Sequence, residues 1–458
     1  MERTIRSENS MVTGVIWKQL LLFFFPIMLG SLFQQLYNTV DAIVVGQFVG
    51  TDALAAVGGS AANILNLLIG FFTGVSSGAT VIISQYFGAN DRNGVSRALH
   101  TAMLFAIVGG AVITVLGLVG TEFMLRLMDT PEDTLAASAL YLRIMFLGMV
   151  PNMIYNVGSA ILRAMGDSKR PLYFLVVACL ANVALDLVFV LVFKMGIAGV
   201  AVASILAQAI SAVMVIMSLS SANMEYRFYF KQMRFEKDIL SRTIRIGLPA
   251  GFQATMYSLS NMLIQASVNR FGTDTVASWV VLGKVDGITW MILGALGIAS
   301  MTFVGQNYGA GRLDRIQKSL KFSLLIGVAI TGGFGALLLL FGWPLFGLFT
   351  SDSKVLGMSM QLLWYFAPFY WMFVPIEIIS GALRGMGDTL IPTIITASGI
   401  CVFRVIWIYT LVPVYNSMFA VSLSYPISWV LTSIAFVIYY MKARKKLIAN
   451  APKPKMLD

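Results

Sequence analysis

Two aspartates sit inside long apolar runs, where an acid needs a reason to be. Asp41 closes a polar stripe, Gln34, Tyr37, Asn38 and Asp41, spaced i, i+3, i+4, i+7 and so on one face of a helix. Asn182 and Asp186 are four residues apart in a second run and also share a face. At the helical rise the two acids lie about 6 and 10 Å from the outer ends of their runs, at a common depth in the outer half of a bilayer. An ionisable side chain in a membrane span is costly and marks a functional site by default. Two carboxylates facing one another in a low dielectric cannot both stay ionised, so the pair would hold a proton or share a cation. Asp41, Asn182, Asp186 and Tyr37 are therefore the candidate cation-coupling group, for H⁺ or Na⁺.

The other charges inside apolar runs are Arg143, Lys284, Asp286, Glu377 and Arg404. Lys284 and Asp286, two apart, cannot share a face, and Arg404 is the expected buried partner of Asp286. Glu377 stands between Pro368 and Pro375, which bend helices and free backbone carbonyls. Gln253, Tyr257, Asn261 and Gln265 form an uncharged stripe on the seventh run. With Gln34 and Asn38, the residues Gln253, Tyr257, Asn261, Glu377 and Asp286 are the candidate lining of a substrate cavity. Arg143 is placed to reach outward to the interface, and His100 reads as an ordinary helix-end histidine. One His and two Cys, with no CxxC spacing, cannot build a zinc site or a disulfide framework. No resident metal or cofactor is expected.

These side chains need membrane helices to hold them. Of 458 residues 58% are hydrophobic and 12% charged, with a mean hydropathy of +0.82; a soluble domain carries about 25% charged residues. A span needs roughly 20 apolar residues. Twelve such stretches fall near 15–45, 54–84, 96–120, 134–161, 170–193, 197–219, 240–269, 276–305, 318–341, 355–383, 391–411 and 415–441. The opening MERTIRSENSMVTG has no small-residue cleavage site, so the first helix is expected to stay. Of the 32 Lys and Arg, 25 fall on the side of the N-terminus and four opposite. Cytoplasmic loops retain positive charge, so both termini are placed in the cytoplasm. The net charge of +11 is then a topology signal and gives nucleic-acid binding no support.

The chain also repeats. LRAMGDSKRP at 162–171 returns as LRGMGDTLIP at 383–392, and QYFGAN at 85–90 as QNYGAG at 306–311, both offset by 221. GTD at 50–52 returns at 272–274, offset 222, and Pro26 pairs with Pro249, offset 223. Two homologous halves of six helices entering from the same side make parallel repeats. The expected divisions are an N-terminal lobe over 1–219, a cytoplasmic linker over 220–240, a C-terminal lobe over 241–441 and a basic tail over 442–458. Features in both halves serve the shared fold. Gly166 and Gly387 suit a left-handed helix end, Asp167 and Asp388 the N-cap of the next helix, Pro171 and Pro392 its first turn, and Arg163 and Arg384 the C-terminal dipole end. The acids belong to one half only: shifted by the repeat, Asp41 falls on Leu263 or Ile264 and Asp186 on Trp407.

With twelve helices, the six-plus-six repeat and the LRAMGDSKRP/LRGMGDTLIP pair, the chain resembles the multidrug and toxic compound extrusion (MATE) family over nearly its whole length. The resemblance implies an all-α integral membrane protein, two lobes around a central cavity. It implies a multi-pass cell-membrane antiporter, not an enzyme, that exports amphipathic, often cationic, small molecules against inward H⁺ or Na⁺ by alternating access. Family members of the prokaryotic branch carry an acid on helix one and an Asn and an Asp on helix five, positions matched here by Asp41, Asn182 and Asp186, with Tyr37 and Gln34 alongside. Membrane lipids are the expected surroundings and a monomer the expected state. The same superfamily includes lipid-linked saccharide flippases, the alternative reading. GMGD at 385–388 matches the string of intramembrane aspartyl proteases, but it recurs as AMGD at a helix end and has no second aspartate motif.

Overall fold

The computed structural model describes residues 10–221 and 226–449. Parts of the linker and of the basic tail, 222–225 and 450–458, lie outside them, as do Arg3 and Arg6. A short helix, Ser10–Thr13, precedes twelve long ones: α1 Ile16–Val49, α2 Ala53–Gly88, α3 Arg92–Leu127, α4 Glu132–Leu147 with Met149–Ala164, α5 Lys169–Val192 and α6 Gly196–Ser220, then α7 Lys237–Val268, α8 Thr273–Gly309, α9 Leu313–Gly347, α10 Ser353–Gly385, α11 Leu390–Tyr415 and α12 Met418–Ala449. There is no strand among the described residues. Ten helices are long and apolar enough to cross a membrane, and the two parts of α4, bent by 51°, make an eleventh span. The bend falls where Pro151 can give no N–H to the carbonyl of Leu147. The polar stripe of α7 and its charged first turns leave it less apolar than the rest.

The chain packs as two compact units whose borders cut through helices. One holds Pro26–Phe87 and Asp91–Gly251; the other holds Met1–Phe25, Gly88–Asn90 and Phe252–Asp458. The expected division at 220–240 put 1–25 with the first half and 241–251 with the second, and packing groups them the other way. Glycine explains the second grouping. A Cβ on Gly74 would meet Gly251 Cα at 2.6 Å, and a Cβ on Gly78 would meet the Gly247 nitrogen at 2.9 Å, so α2 and the start of α7 touch backbone to backbone. At the start of the chain, Arg315 of α9 clamps the short helix. Its Nη2 donates to the carbonyls of Met11 (3.0 Å) and Gly14 (2.6 Å), and its Nε to Asn307 Oδ1 (3.0 Å). Asn307 Nδ2 donates to the Met11 carbonyl as well (3.2 Å).

The drifting repeat offset has a structural cause. Between Pro26 and Gly50 the first half holds one residue more than the second does between Pro249 and Gly272. α1 ends there in a π turn, Val45–Val49, where the second half has a 3₁₀ turn, Asn269–Phe271. A π turn is how a helix absorbs an extra residue. A second extra residue lies between Gly50 and Gln85, where α2 breaks at Gly59 and α8 runs unbroken. α5 and α11 each carry a π turn at different places, Val188–Val192 and Ala397–Val402. Once these are counted, Asp186 lies opposite Ile408 rather than Trp407, and Asp41 opposite Ile264.

The two halves thus build the same junction from different residues. In the second, Ile264 and Ile408 share a buried cluster with Val268, Val412 and Val421. In the first, the matching cluster is Val44, Val45, Ala53, Val190 and Val200, just outward of the acids.

Candidate functional site

Asp41 reaches the site because four residues separate it from Tyr37 on the inward edge of α1. It is 9% exposed, whereas Gln34 and Asn38 on the same stripe are exposed. Asn182 and Asp186 of α5 are fully buried. The Asp186 carboxyl and the Asn182 amide turn toward Asp41, and Ser204 of α6 donates its hydroxyl to Asp41 Oδ2 at 3.2 Å. The Tyr37 hydroxyl faces Ser204, Asp41 and Asp186, with Tyr141 of α4 behind it. Four helices of one unit therefore converge on the two acids. Both Asp186 oxygens, Asp41 Oδ1 and both polar atoms of the Asn182 amide are buried without a hydrogen-bond partner in the protein. Buried polar atoms ordinarily find partners, and two facing carboxylates with three unbonded oxygens require a proton or a cation.

Ser204 and Tyr141 were not singled out from the sequence. Ser204 begins a spacing, Ser204, Gln208, Ser211, that marks one face of α6, and that was the available signal. A lone tyrosine in α4 gives none.

The paired motif is structural in both halves, as its residues suggest, with one difference. Gly166 and Gly387 have φ of 93° and 91°, a left-handed conformation that glycine adopts without strain. Each closes its helix with the same two bonds, Gly166 N to Arg163 O and Asp167 N to Leu162 O, Gly387 N to Arg384 O and Asp388 N to Leu383 O. Asp167 caps α5 by accepting from the amides of Lys169 and Arg170, both at 3.1 Å. Asp388 does not cap α11; its Oδ2 accepts from the Tyr439 hydroxyl at 2.6 Å. Thr389 ahead of α11 leaves the acid free to tie α12 instead. Pro171 and Pro392 are buried in the first turns of α5 and α11. Arg163 lies beside Tyr155, and Arg384 donates to Ser380 Oγ at 2.8 Å.

The second unit arranges its polar residues differently. The expected Asp286–Arg404 pair does not form. Arg404 lies 3.9 Å from the centre of the Tyr425 ring and donates Nε to Ser428 Oγ at 2.9 Å. Asp286 instead accepts from Trp290 Nε1 at 2.7 Å, and Tyr425 stands between the two charges. The reason is helical geometry: Tyr425 and Ser428 of α12 offer a guanidinium a ring face and an oxygen where Asp286 faces α10. Glu377 lies over Gly297 and near Tyr257; a Cβ on that glycine would meet Glu377 Oε2 at 2.6 Å. Gln253 is buried against Thr393, whereas Asn261 is exposed. The structure does not gather Gln253, Tyr257, Asn261, Asp286 and Glu377 into one cluster comparable with the acid pair. Arg143 meets Glu122 at 2.9 Å, both about half exposed. Among the described residues no group of three or more His, Cys, Asp or Glu side chains is placed to hold a metal ion.

Two repeats of six membrane-crossing helices, with buried acids in one of them, define a multi-pass membrane transporter. The MatE family model matches this chain twice, over residues 26–188 and 249–410. The chain belongs to that family, the MATE transporters, and is not an enzyme. Both matches begin at the paired prolines where the chain changes unit. The chain is 30% identical over 388 residues to the Probable multidrug resistance protein YoeA of Bacillus subtilis, covering 83% of this chain and 84% of that one. It is 28% identical to the Probable multidrug resistance protein YpnP of the same organism, over 94% and 96% of the two chains. Among solved structures, a MOP superfamily transporter from Pyrococcus furiosus superposes with a TM-score of 0.90 at 21% identity, covering 96% and 98%. At that identity the likeness shows the fold.

Proposed function

We propose that the protein is a multidrug efflux antiporter in which Asp41 and Asp186, with Asn182 and Tyr37, bind the inward-moving cation, H⁺ or Na⁺. The observation that carries this is the facing pair of buried acids with unbonded oxygens, present in one repeat and replaced by Ile264 and Ile408 in the other. The names of the Bacillus relatives support the drug-export half of the reading. Cation entry neutralises the acids and rearranges α1; the bound compound loses its site and leaves outward, so access alternates. One unit charge crossing 100 mV is worth about 2.3 kcal/mol, enough for roughly a fortyfold gradient of an exported compound. Gln34, Asn38, Gln253, Tyr257, Asn261, Asp286 and Glu377 are proposed to face that compound, which is amphipathic and often cationic. The lobes are proposed to run over 1–219 and 241–441, and both termini to lie in the cytoplasm, where the positive loops fall.

A lipid-linked saccharide flippase would need free basic side chains for a diphosphate. Arg404 is committed to Tyr425 and Ser428, and Arg143 to Glu122, which favours the drug reading. The test is efflux of a fluorescent cation from reconstituted vesicles under a pH or a Na⁺ gradient. Efflux driven by one gradient and lost in Asp41→Asn and Asp186→Asn is expected. Normal coupled transport by both variants would overturn the assignment, and no efflux by folded wild type under either gradient would point to the flippase.

A further inference from the structure

The segment joining the halves is a fitted strap, and its two faces differ. Phe228 and Tyr226 are buried, 2% and 5% exposed. The Phe228 ring stacks on His100 with centroids 5.4 Å apart, and His100 Nε2 accepts from the Tyr229 amide at 3.0 Å. Thr101 donates its hydroxyl to the Arg234 carbonyl (3.2 Å) and accepts from the Glu236 amide (3.3 Å). Arg97 pairs with Glu236 and Asp238 at 3.0 and 3.1 Å. Three residues on one side of α3 thus hold the strap from 228 to 238, and the acids of the strap are spent on Arg97 and Arg234.

The outward face carries Tyr229, Phe230 and Phe235, 44%, 57% and 43% exposed, interleaved with the exposed Arg227, Lys231 and Lys237. Its depth follows from α3. That helix has 36 residues, about 54 Å at the helical rise, against a hydrocarbon core of about 30 Å. Centred in the bilayer it projects about 12 Å at each end. His100 and Thr101 lie eight and nine residues from its start, about 12 to 14 Å along it. The strap therefore crosses α3 at the boundary between hydrocarbon and headgroups. Aromatic rings favour that layer and cations favour anionic headgroups there.

We propose that the outer face of the strap, Arg227, Tyr229, Phe230, Lys231, Phe235 and Lys237, docks on the anionic phospholipid surface of the leaflet beside it. The rings enter the interface while the cations meet headgroup phosphates. The leaflet's identity rests on the topology proposed above; the docking does not, because the test offers the same lipid to both faces.

The test is hydrogen–deuterium exchange of the strap peptide in the intact protein, held in nanodiscs of phosphatidylcholine alone or with phosphatidylglycerol added. Exchange about tenfold slower with phosphatidylglycerol is expected, with the protection removed by 0.5 M salt, by R227Q/K231Q/K237Q and by F230S/F235S. Equal exchange in the two lipids overturns the proposal in wild type alone, whatever the variants do. Inorganic phosphate producing the same protection in phosphatidylcholine discs would overturn it in favour of a soluble anion.

Discussion

Replacing Arg315 by Met removes the fork that holds the start of the chain while keeping an unbranched apolar stem near Phe303, whose ring centre lies 5.7 Å from the guanidinium carbon. Arg315 is 8% exposed and gives two hydrogen bonds to backbone carbonyls of the residue 10–14 segment, at 3.0 and 2.6 Å. Hydrogen bonds to a charged group are worth about 1.5–3 kcal/mol each, so the pair contributes about 3–6 kcal/mol to keeping that segment docked. Opening lets both carbonyls and the guanidinium regain water, which places the net loss near the lower figure. About 3 kcal/mol corresponds to roughly a hundredfold larger opening constant. The Gly14 amide, bonded to the Ser10 carbonyl at 2.8 Å, reports that opening. Hydrogen–deuterium exchange of a peptide covering 10–19 should speed up by about two orders of magnitude in R315M, with the exchange of α10 unchanged. Because Asn307 donates to the same Met11 carbonyl, N307L in the R315M background should add less than it does alone. A change below threefold in R315M would show that the segment is held by its apolar contacts and that the clamp argument is wrong.

Ser204→Ala removes the donor on Asp41 and should change the half-saturating concentration of the coupling cation by about fivefold, equivalent to about 1 kcal/mol, while Ser204→Thr should not; transport assays at varied H⁺ and Na⁺ decide it. Gly381→Ala drives a Cβ to 2.6 Å from the Gly297 carbonyl and should cost about 1–3 kcal/mol, lowering the melting temperature by several degrees. Gly332→Ala, whose Cβ would meet nothing within 4 Å, should not lower it. Arg97, with Arg234 beside it, holds the Glu236 carboxyl below the usual glutamate range. A lowered carboxylate contributes stability above its unfolded titration and loses it as pH falls through the lowered value. Strap exchange, corrected for intrinsic rates, should therefore stay level from neutral pH through the ordinary glutamate range and rise only below it; a rise within that range would contradict the ion pair.

Residue types revealed what composition makes rare. An acid in an apolar helix stands out whatever the packing, so Asp41, Asn182 and Asp186 could be picked and their meeting inferred from shared depth. Ser204 and Tyr141 could not, because serine and tyrosine occur throughout such helices and only the convergence of four helices gives these two a role. Gly166 and Gly387 were legible since a left-handed helix end leaves few other choices. The partner of Arg404 was not legible, since depth along two helices says nothing of which way each side chain turns, and the Tyr425 ring settles that. The exchange of 1–25 and 241–251 between units left no compositional trace either, because the glycines that permit it look like any others until two backbones are seen to touch.

The π turn after Asp41 bears on how the two halves came to differ. A duplicated gene begins with two equal lengths, and here the halves have since diverged by an inserted residue as well as by substitution. Each residue added to a helix turns everything beyond it by about 100°, so a change of length re-aims a whole face at once. Writing Asp into positions 264 and 408 would therefore copy the letters of the first site without its spacing. A graft that works must also carry the extra residue before Gly272, and the ancestral junction was already closed by valines that both halves still keep.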